Sequence, residues 1–113
     1  MEFPNLFELQ HEKNIANSYY TVGAVYKGKA SWESFYNLYV SKGAEPFYAA
    51  VANPYLEGSM SLLSKEHGWR KGMCPNAEYI QENLMAFKTN YRNHDQCIND
   101  TILLRETIEE LCL

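Results

Sequence analysis

The chain has 113 residues, 46% hydrophobic and 21% charged, the balance of one compact folded domain and not of a disordered segment. Its net charge is −4, with 10 Lys plus Arg against 14 Asp plus Glu, which leaves no basic face for general nucleic-acid binding. No apolar run approaches the roughly 20 residues of a membrane span, and Met1-Glu2-Phe3-Pro4-Asn5 lacks the basic and apolar regions of a signal peptide, so a cytoplasmic protein without a membrane partner is expected.

Residues 1–17 read as a lead-in. Leu6, Phe7, Leu9 and Ile15 are apolar, but Gln10-His11-Glu12-Lys13-Asn14 breaks any period, leaving a short helix or a loop open. From Ser18 to Tyr26 aromatic and β-branched residues predominate, ending at Lys27-Gly28-Lys29; this predicts a strand, central or covered on both sides. Ser31 then offers an N-cap, and Trp32, Phe35, Tyr36, Tyr39 and Val40 recur at helical spacing up to a stop at Gly43. Ala44 to Glu57 is a long loop punctuated by Pro46 and Pro54 and rich in rings, the kind of segment that packs against something and often carries function.

Ser61 to Glu66 predicts a short helix ended by Gly68. Cys74-Pro75 opens another, with proline at the first helical position and Ala77, Tyr79, Ile80 and Leu84 on its apolar face. Met85 to Thr89 alternates as a strand, and Asn93 or Asp95 caps a final helix whose stripe is Ile98, Ile102, Leu104, Ile108 and Leu111. The expectation is a single α+β domain over residues 1–113, with a small antiparallel sheet of two to three strands packed with three to four helices.

Chemistry-bearing residues are sparse. His94 with Cys97, and His67 with Cys74, lack the tight ligand pairs of a zinc site, so no metal is expected. Cys74 at a helix start has the placement of an activated thiol, but a residue preceding a helix-starting proline accounts for it as well. The three cysteines, Cys74, Cys97 and Cys112, have no framework spacing, so structural disulfides are not expected. Glu45 and Glu57 flank the aromatic loop, and Tyr48 and Tyr55 supply amphipathic contact surface there. Gly-rich phosphate motifs are absent.

Two blocks resemble a known family. Trp32-Glu33-x-Phe35-Tyr36, Lys42-Gly43-Ala44-x-x-Phe47-Tyr48-Ala49-Ala50 and Asn53-Pro54-Tyr55-Leu56-Glu57 form the first. Gly72-Met73-Cys74-Pro75-Asn76-Ala77-Glu78 and Leu84-Met85-Ala86-Phe87-Lys88-Thr89-Asn90-Tyr91 form the second. Their order resembles the C-terminal small domain of the DegT/DnrJ/StrS sugar aminotransferases, which depend on pyridoxal phosphate (PLP), and the likeness runs from about Tyr19 to Leu113. The sequence departs from the family where Ala44-Glu45-Pro46 follows Gly43 and where Val51 replaces a frequent tryptophan.

The resemblance implies an aminotransferase small-domain-like fold and part of an enzyme that moves an amino group from an amino acid to a nucleotide-linked keto sugar. It implies Tyr48, Tyr55 and Glu57 as candidate substrate-binding residues, with rings for stacking and a carboxylate for sugar hydroxyls. A transaminase also needs a Schiff-base lysine, an acid for the pyridinium nitrogen and donors for the cofactor phosphate. In the family these lie on the large domain, which this chain lacks. None of the seven lysines stands in the family's Gly-Glu-Gly-rich context, and only Asp95 and Asp100 are aspartates. The expected partners are therefore a large PLP-binding domain, a nucleotide-sugar substrate and, for the complete enzyme, a second copy. Alternatives are a standalone interaction module built on the same domain and a small independent enzyme using Cys74.

Overall fold

The computed structural model describes residues 6–9, 21–47 and 61–112. Within them the chain runs β1 (Phe7–Leu9), β2 (Thr21–Tyr26), α1 (Trp32–Ser41), α2 (Ser61–His67), α3 (Pro75–Asn83), β3 (Leu84–Lys88) and α4 (His94–Cys112). This is an α+β architecture with four helices and a three-stranded antiparallel sheet of order β1-β2-β3. No helix of the described residues is long and apolar enough to cross a membrane.

The β-branched and aromatic run of β2 takes the centre, as its composition predicts. Phe7 pairs with Tyr26 and Leu9 with Ala24 on one side; Ala24 pairs with Met85 and Val22 with Phe87 on the other. Paired residues point to the same side of a pleated sheet, so these seven share one face. Gly23, Val25, Leu84 and Ala86 share the opposite face. The lead-in thus contributes a strand where the sequence left helix or loop open. Three residues carry too little period to signal a strand, and pairing with β2 decides their conformation.

Helix α1 begins at Ser31, whose Oγ accepts from the Ser34 amide at 3.1 Å, and it closes before Gly43, held at φ +93°. It buries Phe35 and Tyr39 against the first sheet face and packs on α4. The Trp32 indole donates to the Leu84 carbonyl at 2.9 Å, fastening the start of α1 to the start of β3. Phe47, 3% exposed, is the hub of the core: its ring lies 5.2–5.6 Å from those of Trp32, Tyr36, Tyr39 and Phe87. Edge-on and tilted geometries prevail, as ring quadrupoles favour.

Two helix faces differ from the sequence reading. On α4, Ile98 and Ile102 are 46% and 50% exposed, whereas Asp100, Thr107 and Ile108 are buried. Leu104, Ile108 and Leu111 of the expected stripe do meet the core, but Ile98 and Ile102 lie off the i, i+4 line Asp100–Leu104–Ile108 that the buried face follows. Thr107 is tolerated inside because its hydroxyl donates to the Leu103 carbonyl at 2.7 Å. On α3, Tyr79 and Ile80 stay exposed while Glu78 is buried, its carboxylate accepting from the Gly72 amide at 2.7 Å. Leu84, expected on that helix, starts β3 instead.

Candidate functional site

The richest chemistry lies where the end of α1, the turn after it, the exit from β3 and the first turns of α4 converge. Asn93 caps α4, its Oδ1 accepting from the Gln96 amide at 2.8 Å, which settles the choice between Asn93 and Asp95. Gln96 and Asp100 then fall one above the other on the same face, four residues apart. Asp100 is 4% exposed. Its Oδ2 accepts from the Tyr91 hydroxyl at 2.8 Å and from the Glu45 amide at 3.3 Å. Glu45 Oε1 in turn accepts from Gln96 Nε2 at 3.0 Å and pairs with Lys88 Nζ at 3.3 Å. The same ammonium sits 5.2 Å from the centre of the Tyr91 ring.

This network borders an open groove of about 330 Å³ between the first sheet face and α4. Phe7, Val22 and Phe87 form one wall, Leu104 and Ile108 the other, and Tyr39, Asp100 and Thr101 the polar end. Burial and the nearby Asp100 and Glu45 carboxylates push the Tyr39 phenol far above its ordinary range. Tyr91 is raised in the same direction, first by burial and then by its hydrogen bond to Asp100. Both groups are hydrogen-bond donors, not bases, at neutral pH. A second groove, of about 340 Å³, opens on the opposite sheet face between Val25, Leu84 and Ile80.

Of the residues singled out by sequence, Tyr48, Tyr55 and Glu57 lie outside the described residues. Glu45 is a tether linking the α1 turn to α4 and β3, engaged on one oxygen by two donors. Cys74 is exposed and caps α3 without a side-chain hydrogen bond, and Cys97 is half-buried. His67 stacks on Trp69 with ring centres 4.9 Å apart. Among the described residues no three His, Cys, Asp or Glu side chains converge as a metal set would. Asp100 and Tyr91 were not singled out by sequence. The available signal was a carboxylate on an apolar helical line, four and eight residues before Leu104 and Ile108.

The two grooves and the ion-paired lysines do not fit PLP. Lys27 pairs with Glu8, Lys42 with Glu110 at 2.8 Å, and Lys88 with Glu45. Hydrogen bonds donated to the Glu8 and Glu110 carboxylates hold the Lys27 and Lys42 ammonium groups above their ordinary range, the reverse of what a Schiff-base lysine requires. Neither groove has a lysine or arginine among its described lining residues, so a cofactor phosphate finds no counter-charge there. Comparison of the chain with protein-family models, with curated proteins and with solved structures found no match.

Proposed function

We propose that the chain is the small-domain portion of a PLP-dependent aminotransferase of the DegT/DnrJ/StrS type, working in the cytoplasm on a nucleotide-linked keto sugar. In this reading it is not competent alone. The cofactor and its lysine belong to a large PLP-binding lobe, and this chain contributes the Tyr48–Glu57 loop to the substrate side of the cleft. The support is the pair of ordered sequence blocks together with one structural observation. The sheet face away from the core carries an apolar groove of Val25, Leu84 and Ile80, and Leu62 on α2 and Trp69 and Met73 between α2 and α3 are exposed. In this reading a companion lobe covers the groove and these side chains.

The chain's own residues have a defined part in this scheme. Ser31, Trp32 and Asn93 set the positions of α1, β3 and α4, and Phe47 is buried in the core just before Tyr48. The chain therefore enters residues 48–57 from a packed position. Adding PLP to the isolated chain, reducing with borohydride and mapping modified lysines by mass spectrometry tests the division of labour. Sparse labelling spread over exposed lysines is expected. Stoichiometric labelling of one lysine overturns the reading, because the chain would then hold the cofactor itself.

A further inference from the structure

The groove between the sheet and α4 ends in a buried carboxylate that no cation accompanies. The described ion pairs are Lys27–Glu8, Lys42–Glu110 and Lys88–Glu45, and none includes Asp100. Lys88 offsets Glu45, so the cluster of Glu45, Lys88 and Asp100 retains one negative charge in excess. Both donors that reach Asp100 from the described residues, Tyr91 and the Glu45 amide, converge on Oδ2. Oδ1 has none among the described residues. Tyr39, 3% exposed and also lining the groove, has no hydrogen-bond partner for its hydroxyl among them either. Among the described residues no fully buried side-chain nitrogen or oxygen lacks a partner, so these two oxygens are open to the groove, where a cation can reach the carboxylate.

The geometry points to this groove as a binding site for a small protonated amine with an apolar body. The ammonium group donates to Asp100 Oδ1 and to the Tyr39 phenol oxygen, and the apolar body lies between Phe87, Val22 and Leu104. Volume and lining agree with small-molecule sites, which are mostly apolar with a few polar groups that fix orientation. The sign of the charge selects the class: an anion meets Asp100 with no cation to offset it, and a neutral alcohol leaves the carboxylate unpaired. The inference stands on the groove alone and is independent of the companion lobe.

Three isosteric probes, 2-phenylethylamine, 2-phenylethanol and phenylacetate, titrated into the whole chain and followed by amide chemical shifts, test it. The amine is expected to bind about ten-fold or more tightly than the alcohol, with shifts centred on Thr101 and Leu104, and the acid most weakly. Asp100→Asn keeps an acceptor for Tyr91 and should bring the amine down to the alcohol's affinity while leaving the alcohol unchanged. Equal affinities in the unmodified chain, or shifts centred elsewhere, overturn the assignment whether or not that variant folds. So does a folded Asp100→Asn chain that still prefers the amine.

Discussion

The Tyr91 hydroxyl donates to Asp100 Oδ2 at 2.8 Å, joining the exit from β3 to the first turns of α4 across nine residues of sequence. The pair closes a ring of contacts that also takes in Glu45, Gln96 and Lys88. Tyr91→Phe removes the donor and leaves a buried carboxylate with one partner fewer. The expected loss is about 1.5–3 kcal/mol, because the bond is to a charged group. Urea unfolding checks it; a change below about 0.5 kcal/mol contradicts the role given to this bond.

Alkaline pH acts on the same place. Tyr39 and Tyr91 both hold their protons above the ordinary tyrosine range, Tyr39 chiefly through burial, Tyr91 through burial and then Asp100. In the unfolded chain both ionise near the ordinary value of about 10, so above it the unfolded state binds fewer protons than the native state. Their stabilising contribution is whole below that pH and declines as pH rises through the native values. Phenolate absorbance should show Tyr39 and Tyr91 ionising late, together with unfolding. Tyr39 and Tyr91 ionising with the exposed tyrosines in a still-folded chain contradicts this.

Much of the fold was legible because its signals are local. Ser31 as a cap, Pro75 at a helix start and the β-branched run to Tyr26 each act within a few residues, and each element formed where expected. Strand β1 was not legible, since Phe7–Leu9 becomes a strand only by pairing with residues 15 or more positions away. The inward face of α4 was misread because hydrophobicity alone selected Ile98 and Ile102. Asp100 and Thr107 are buried by virtue of hydrogen bonds that a composition pattern does not display. The network at Asp100 joins residues 45, 88, 91, 96 and 100, a convergence set by tertiary packing.

The corrected face of α4 has a direct mutational signature. Ile98→Lys and Ile102→Lys should each change stability by no more than about 0.5 kcal/mol in the isolated chain. Ile108→Ala, at a side chain 5% exposed, should cost about 2–5 kcal/mol. Thermal and urea denaturation of the three variants checks the ordering. Large losses at Ile98 and Ile102, matching that at Ile108, would restore the stripe expected from the sequence.

Gly28 gives a test of local packing after β2. The Tyr26 ring lies over it, and a Cβ there would overlap the phenol. Tyr26 is buried among Phe7 and Phe35, so the ring has little room to swing aside. Gly28→Ala should cost about 1–3 kcal/mol, whereas Gly28→Ala in a Tyr26→Leu background should cost markedly less. A double-mutant cycle with no coupling contradicts the contact.

Phe47 packs against five rings immediately before the candidate residue Tyr48. Phe47→Ala should cost about 3–5 kcal/mol in equilibrium denaturation. Phe47→Leu, which keeps most of the volume, should cost less than half of that. Near-equal losses for the two would mean that ring geometry, and not filled volume, sets the contribution of Phe47.

The proposed division of labour is tested most directly by complementation. A DegT-type large lobe carrying the PLP lysine, made without its own small domain, is mixed with this chain, an amino acid donor is added, and conversion of the cofactor to its amine form is followed by absorbance. The account predicts conversion in the mixture and none with either piece alone. A mixture in which the two pieces neither associate nor convert the cofactor, or full conversion by this chain alone, would contradict it.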